Sequence, residues 1–382
     1  MDPFASEDLF FAYALLQALV ALLLIRFVDL YEREPLSIVA LLFVWGAIGA
    51  AILASVGNEV LQSALPRDVE VVYGPAISAP VVEELAKGLA LLAAFAVSRW
   101  AHRRFGVLEF EGVTDGIVYG AAVGIGFAFT EDLYYFFREA QATGDLGSAL
   151  DVYLDRRDFF GPAMLRHAIW TATFGAALGL ATWSRGRLGR IGLPLLGLAL
   201  AMLMHAVNNG LVPILLSLEY GFETTYDYLA VGVPVDIATA MDASADSARE
   251  TLHVISWVYV GLFFVGIALW LRHQRGVIAA ELAEERESGV ITSSELRLAD
   301  RFLQRTARYV SLLRNGKLDQ VRSESRLYGE LADLAFAKRR LDRRGETTGD
   351  EIAVRREQVR RLSGARDQET SGIGQSPGRP PS

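Results

Sequence analysis

Several carboxylate, ammonium, imidazole and amide side chains stand inside stretches of this sequence that are otherwise apolar. They are Glu83, Glu84, Lys87, Glu131, His167, His205 and Asn209. Carboxylates and imidazoles that are buried together can exchange protons, bind a divalent metal ion and activate a water molecule. An ionisable group near the centre of a membrane-spanning helix costs about 2.5 to 3.5 kcal/mol on insertion scales. A set this expensive to insert indicates a reactive site rather than a purely structural helix bundle.

The spacing of these residues places several of them on shared helix faces. Glu83 and Lys87 are i,i+4, and Glu84 and Lys87 are i,i+3, so one ammonium can neutralise either carboxylate. His205 and Asn209 are also separated by four residues. Since neighbouring buried carboxylates cannot all be charged, one of them should hold a proton and be suited to proton transfer.

The elements that must position these groups are membrane-spanning helices. A span needs about 20 mostly apolar residues, and seven stretches qualify. They are Leu9–Val28, Leu36–Val56, Ala76–Val97, Val113–Phe136, Phe159–Trp183, Ile191–Ser217 and His253–Leu271. Lys and Arg concentrate in one set of connecting loops, which predicts an N-terminus outside the cell and a C-terminus in the cytoplasm. The predicted fold class is therefore all-α, a multi-pass helix bundle in a lipid bilayer, which we expect to be that of a bacterial cell membrane.

Helix geometry predicts that the polar groups lie at one common depth. At 1.5 Å per residue, Glu83 lies about 10 Å and Glu131 about 8 Å below the outer surface. His167 lies about 12 Å below that surface, and His205 and Asn209 about 16 and 10 Å. Four helices running in alternating directions thus place their polar side chains in the outer third of the bilayer, where they can meet.

Small residues recur at four-residue intervals on two of these helices. Gly116, Gly120 and Gly124 form a doubled small-xxx-small pattern on the fourth predicted span. Gly175 and Gly179 repeat that spacing on the fifth. Such patterns let membrane helices approach closely, so we expect close packing around the polar group.

Four motifs in this order resemble those of the PrsW family of intramembrane proteases, relatives of the CAAX prenyl endopeptidases. The motifs are Glu83-Glu84-Leu-Ala-Lys87, Phe127-Ala-Phe-Thr-Glu131, His167 and His205-Ala-Val-Asn-Asn209. The resemblance covers about Pro75–Leu211 and departs from the family pattern at Asp132 and Asn208, where Asn and Trp are more usual. It implies an endopeptidase that cleaves membrane-bound protein substrates, an anti-sigma factor being the best-known example.

Peptide hydrolysis requires an activated water molecule and stabilisation of the oxyanion. We assign Glu83 and Glu84 as the general-base and water-binding pair, with Lys87 neutralising one of them. Two routes remain open from the residues alone. In the metal route, two histidines and a carboxylate hold Zn²⁺, as in known His₂Glu catalytic sites. The candidate ligands for that route are Glu84, Glu131, His167 and His205.

In the metal-free route, Glu83 polarises the water together with His167 or Glu131, while His205 and Asn209 donate hydrogen bonds to the oxyanion. The number of available ligands favours the metal route.

Composition and motif content argue against several other functional classes. A net charge of −8 and a pI near 5.3 argue against nucleic-acid binding. The sequence has no cysteine, which excludes disulfides and a thiolate nucleophile.

A proton- or ion-coupled transporter is the main rival function, since buried Glu, Lys and His also form proton relays. Transporters usually show repeat symmetry or paired broken helices, and we find neither here. A non-enzymatic scaffold would not explain polar groups in four spans.

The charge distribution predicts three regions along the chain. Residues 1–275 form the membrane domain, and residues 276–344 a charged cytoplasmic helical region with a regulatory or packing role. In the latter, Thr292-Ser-Ser-Glu295 has the spacing of a capping box. The amphipathic stretches Glu295–Leu313 and Leu318–Leu341 predict a helical hairpin. Residues 345–382 are rich in Gly, Ser, Thr, Pro and charge, which predicts disorder.

Overall fold

The structure is a computed structural model that describes residues 3–25, 28–31, 34–105, 110, 112–155, 164–184, 186–344 and 350–372. All regular secondary structure in these ranges is helical, as the predicted fold class requires. The chain divides into two compact units. The first consists of Met1–Val28 and Glu34–Val265, and the second of Asp29–Arg33 and Gly266–Ser382.

The first unit is a bundle of long helices joined by short connections. In chain order they are α1 (Pro3–Ile25), α2 (Leu36–Val44), a π-helical turn (Trp45–Ala50), α3 (Ala51–Ser63), α4 (Arg67–Phe105), α5 (Val113–Thr143), α6 (Leu146–Asp155), α7 (Met164–Thr182), α8 (Arg187–Tyr220), α9 (Phe222–Ala230) and α10 (Val235–Glu281). Helix α10 continues into the second unit. The π-helical turn joins α2 and α3 into one continuous helix of 28 residues.

Four helical segments of the described chain are long and apolar enough to cross a membrane. They are Leu36–Ser63, Val113–Thr143, Arg187–Tyr220 and Val235–Glu287. The other three predicted spans fall on α1, α4 and α7, which are also helical. The apolar part of α1 is shorter, at Phe10–Ile25, and α4 carries three charged residues within its apolar part. The first residues of the fifth predicted span, 159–163, lie outside the described residues. The protein is an integral membrane protein, and the count of seven spans stays a prediction.

Helix α5 is the central element of the first unit. Every residue from Val113 to Phe129 is buried, because the other helices pack around it on all sides. The backbone of α7 lies directly against its glycines: a Cβ at Gly120 would be 2.5 Å from the Thr171 carbonyl oxygen, and one at Gly124 would be 2.3 Å from the His167 oxygen. The close approach predicted from the small-residue spacing is therefore present, and it fixes the position of His167.

A side chain larger than hydrogen at this crossing should destabilise the bundle. Overpacking a well-packed core costs about 3 kcal/mol at the upper end of the usual range. For a domain of about 250 residues, close to the size of the first unit, this corresponds to roughly 6 to 12 °C in melting temperature, so we expect such a decrease for Gly120→Leu in detergent. The matched control is Gly261→Leu on α10, where a Cβ would meet nothing within 4 Å. Equal melting temperatures for the two variants would contradict the close crossing.

The second unit is a smaller helical domain with its own core. After α10 it contains α11 (Ala283–Glu287), α12 (Ser293–Asp300), α13 (Phe302–Arg314), α14 (Leu318–Arg344) and α15 (Asp350–Gly372). The predicted capping box is present, with Thr292 Oγ1 accepting from the Glu295 amide and the Glu295 carboxylate accepting from the Thr292 amide. The predicted stretch Glu295–Leu313 is divided at Arg301 into two helices.

The structure differs from the sequence-based expectation in the C-terminal region, where α15 occupies part of the segment expected to be disordered. Ile352 and Val359 are buried in the core of the second unit, and they are spaced i,i+7 on one helix face. Arg356 forms a bidentate ion pair with the buried carboxylate of Glu285. Two apolar contacts and an ion pair therefore order a segment whose composition is mostly polar. Residues 345–349 and 373–382 lie outside the described residues.

Candidate active site

The polar residues singled out from the sequence gather where α4, α5, α7 and α8 pack together. Helix α4 contributes three of them, and the other three helices contribute one or two each. Lys87 is 0% exposed and Glu84 is 1% exposed, so these charges are removed from solvent by the surrounding helices. A buried charge is tolerated only when it is paired and hydrogen-bonded, and the partners in this site are specific.

Lys87 is the hub of the hydrogen-bond network. Its Nζ donates to Glu84 Oε1 at 2.6 Å and to His167 Nδ1 at 3.0 Å. The same atom lies 3.9 Å from Glu83 Oε2 and 4.2 Å from the centre of the Phe127 ring. The ammonium therefore connects both carboxylates of α4 with an imidazole of α7.

Both histidines are oriented by charged partners. Because Lys87 can only donate, His167 Nδ1 is the acceptor, and His167 Nε2 donates to Glu131 Oε2 at 2.8 Å. His205 Nδ1 donates to the Glu84 carboxylate at 3.1 Å, so its Nε2 keeps a free lone pair. A carboxylate that fixes the tautomer of a histidine in this way is typical of metal-binding and catalytic histidines.

Glu83 has one satisfied and one unsatisfied carboxylate oxygen. Oε1 accepts a hydrogen bond from Asn58 Nδ2 at 3.3 Å. Oε2 is buried and has no hydrogen-bond partner among the described residues. It lies 3.8 Å from His205 Nε2 and 3.9 Å from Lys87 Nζ. Two hydrogen-bond acceptors, a carboxylate oxygen and an imidazole nitrogen, thus face each other with no donor between them.

This cluster could hold a metal ion if His167 exchanged one of its two hydrogen bonds, to Lys87 or to Glu131, for the metal. Glu83, His167 and His205 each offer one ligand atom, and these three atoms lie within 4.8 Å of one another. Two imidazole nitrogens and one carboxylate oxygen form the donor set of several catalytic zinc sites, which leave a further position for water. The unpartnered Glu83 Oε2 is the group that a cation would neutralise.

The sequence-based metal set shares both histidines with this group but differs in the carboxylates. Glu84, a ligand candidate there, is engaged by Lys87, His205 and Thr171, whose Oγ1 donates to Glu84 Oε2 at 3.4 Å. Glu131 lies on the far side of His167 and its side chain is 20% exposed, more than that of Glu83 or Glu84.

Asn209 lies apart from the acid–imidazole network, with its two polar ends engaged elsewhere. Its Nδ2 donates to the Pro75 carbonyl at 3.3 Å, and its Oδ1 accepts from Asn208 Nδ2 at 3.0 Å. Asn208 in turn accepts from Arg166 Nη1 at 3.0 Å. These three hydrogen bonds connect α7, α8 and the first third of α4 beside the site.

Sequence reasoning missed three residues that hold the site in place. Trp170, 1% exposed, stacks on His205 with ring centres 4.4 Å apart and meets His167 edge-on at 4.7 Å. Asn58 and Thr171 donate to Glu83 and Glu84 as described above. Trp170 and Thr171 follow His167 by three and four residues, which puts them on its helix face, and that spacing was an available signal.

The π-helical turn between α2 and α3 also contacts this region. Trp45 Nε1 donates to the Ala86 carbonyl at 3.2 Å. Thr130 Oγ1 donates to the Ala47 carbonyl at 2.6 Å. The turn thereby holds the backbone next to Lys87 and the residue next to Glu131. π-helical turns occur often at functional sites.

Comparison with known proteins identifies the family. Residues 34–238, more than half of the chain, match the PrsW family of intramembrane metalloproteases. The chain belongs to the PrsW family. The resemblance inferred from the four motifs is confirmed, and the matched range includes every PrsW-type motif residue as well as Asn58, Trp170 and Thr171.

Protease PrsW of Clostridioides difficile (strain 630) is 28% identical to this PrsW family member over 166 residues. The aligned region is 43% of this chain and 63% of the relative, so it covers less than two thirds of the relative's length. No solved structure matches the chain. The second unit from Gly266 onward lies beyond the range matched to the PrsW family.

Proposed function

We propose that the protein is an intramembrane endopeptidase that hydrolyses peptide bonds of membrane-bound protein substrates with water activated at Glu83, His167 and His205. The observation that carries this proposal is the buried, unpartnered Glu83 Oε2 facing the free Nε2 of His205 at 3.8 Å. Membership in the PrsW family supports a peptidase over the transporter considered from the sequence, and no feature of the described residues favours the latter.

The residues of the chain divide the chemical work in this proposal. In the metal-free route Glu83 binds the water and accepts its proton, since its Oε2 is the open acceptor of the site. In the metal route the same oxygen would be a metal ligand. Glu84 holds His205 in the required tautomer and neutralises Lys87. Glu131, hydrogen-bonded to His167 and 20% exposed, would first take up a proton, either the one released by the water or one from outside the site, and then pass it to the leaving amine.

The metal and metal-free routes use the same residues. Glu83, His167 and His205 would hold a divalent metal ion such as Zn²⁺, and a metal there would acidify the water and polarise the scissile carbonyl. Without a metal, Glu83 would take the proton directly, beside the ammonium of Lys87 3.9 Å away. The donor set favours the metal route.

The substrate and the topology belong to the same proposal. Because the site lies within the bundle, its substrate is a protein with a membrane-spanning or membrane-inserted segment, such as an anti-sigma factor. The proposed topology has seven spans, an N-terminus outside and a cytoplasmic C-terminal region with a helical hairpin. This topology would place the site near the outer leaflet. Loop charges and helix geometry support this arrangement.

Reconstitution tests the proposed activity. The purified chain is placed in proteoliposomes with a single-span reporter protein, and new termini are sought by mass spectrometry. We expect cleavage inside or beside the reporter's membrane segment. A panel of membrane reporters that all stay intact beside folded wild-type protein would contradict the proposal.

Metal content tests the proposed ligand set without relying on activity. We expect about one divalent metal ion per purified wild-type chain and its loss in His205→Ala, since that imidazole supplies the lone pair facing Glu83. His253→Ala is the matched control, because His253 belongs to α10 and to none of the motifs. Elemental analysis gives the result. An active wild type free of metal would overturn the ligand assignment and leave the metal-free route.

A further inference from the structure

Helix α13 of the second unit has one face that packs inward and one that does not. On the inward face, Arg305 is buried and donates to the Leu30 carbonyl, and Arg308 forms a bidentate ion pair with Glu324. The other face exposes apolar side chains. Leu303 is 81% exposed and Val310 is 43% exposed.

The exposed residues form a continuous stripe along α13. Leu303, Ala307 and Val310 are spaced i, i+4 and i+7, the repeat of one helix face. Leu313, 50% exposed, continues this face within α13, and Leu318, 47% exposed at the start of α14, lies beyond the end of the helix. The core of the second unit uses none of these side chains.

Within the segment 301–318 the charge has a single sign, and Asp300 and Asp319 flank it. The segment 301–318 contains no Asp or Glu. Its exposed cations are Arg301, Arg314 and Lys317, and no ion pair joins any of them to another described residue. An apolar stripe with unpaired cations on its border is the pattern of a helix that lies in the interface of an anionic membrane.

An anionic lipid surface fits this face better than a protein partner does. The chain is an integral membrane protein, so a bilayer is always present near the second unit. Phe302 follows Leu271, the end of the last predicted span, by 31 residues. A juxtamembrane basic segment gains about 1 kcal/mol per Lys or Arg from anionic headgroups. The exposed leucines would enter the boundary between headgroups and acyl chains.

We propose that α13 binds the anionic phospholipid surface of the bilayer that holds the chain, through Leu303, Val310 and Leu313 and the cations Arg301, Arg314 and Lys317. This function is separate from peptide hydrolysis. It gives the second unit, which lies outside the range matched to the PrsW family, a role as a sensor of membrane charge.

The absence of cysteine allows a direct test with the full chain. A polarity-sensitive fluorophore is attached to Val310→Cys, and single chains are placed in nanodiscs with either about one third anionic lipid or only zwitterionic lipid. We expect a blue shift of the probe in the anionic discs alone, reversed by high salt. The matched control is Val354→Cys on α15, 58% exposed, where we expect no shift.

Charge removal completes the test. The three charge removals are Arg301→Gln, Arg314→Gln and Lys317→Gln, each made in the Val310→Cys background. Each should lower the equilibrium constant for membrane binding of α13 about fivefold. An equal shift in zwitterionic discs, or a shift that these changes leave intact, would overturn the proposal. A shift that appears only with two chains per disc would show that a second copy covers the face, and would overturn it as well.

Discussion

Glu83→Gln is expected to reduce peptide-bond cleavage by at least about 10² to 10⁴-fold, the usual contribution of a positioned general base. Glutamine keeps the shape of the side chain and can still accept from Asn58 at Oε1. It loses the second carboxylate oxygen, the open acceptor that faces His205. The loss should therefore appear in the rate of cleavage in proteoliposomes and not in membrane insertion or melting temperature.

The matched control for this variant is Glu59→Gln. Glu59 is exposed on α3, one residue after Asn58, and its loss removes the same charge without touching the site. We expect wild-type cleavage from it. Full activity of Glu83→Gln would remove Glu83 from the proposed chemistry, whatever the metal content of the protein.

Glu84→Gln is expected to lose activity by a different cause, the collapse of a buried ion pair. Removing one partner of such a pair costs about 3 to 5 kcal/mol because the other charge stays buried and uncompensated. Lys87 is fully buried and has Glu84 as its nearest anion at 2.6 Å. We therefore expect a clear decrease in melting temperature, in contrast to Glu83→Gln.

A double variant separates stability from catalysis at this pair. In Glu84→Gln with Lys87→Met, both buried charges are gone, so most of the lost stability should return. Cleavage should stay absent, because His167 loses the donor to its Nδ1 and His205 loses its carboxylate partner. Recovery of activity together with stability would mean that the pair is only structural.

The parts of the site that depend on helix geometry could be predicted from the sequence. The i,i+3 and i,i+4 spacing around Lys87 implies contact with both carboxylates, and the structure shows a hydrogen bond to Glu84 and a longer contact to Glu83. The constant rise of an α-helix also allowed His167 and His205 to be placed at the depth of those residues. Neither inference needs knowledge of how the helices pack.

The parts that depend on packing between helices could not be predicted. His205 and Asn209 share a face of α8 and both contact α4. His205 bonds to the Glu84 carboxylate, but Asn209 bonds to the backbone carbonyl of Pro75, away from the carboxylates of the site. Asn58 lies two residues beyond the end of the second predicted span, and only the packing of α3 on α4 brings it to Glu83. Trp170 is chemically indistinguishable from a core residue until its neighbours are known.

The C-terminal region shows the same limit for fold prediction. Composition predicted disorder from residue 345 onward, but Ile352 and Val359 are sufficient to dock α15 on the core of the second unit. Sparse apolar residues give little signal in a composition window. Whether such residues stabilise a helix depends on an apolar surface elsewhere in the chain, here one that includes Leu331.

The π-helical turn at Trp45–Ala50 sets the rotational phase of the residues that follow it. Successive residues of an α-helix are turned by about 100° around the axis, and a π turn accommodates one additional residue per hydrogen-bonded loop. The half of the helix that follows is therefore rotated relative to an uninterrupted α-helix. Asn58 faces Glu83 in this rotated register, so rewinding the same residues as an uninterrupted α-helix would turn its amide about a quarter of a revolution away from Glu83.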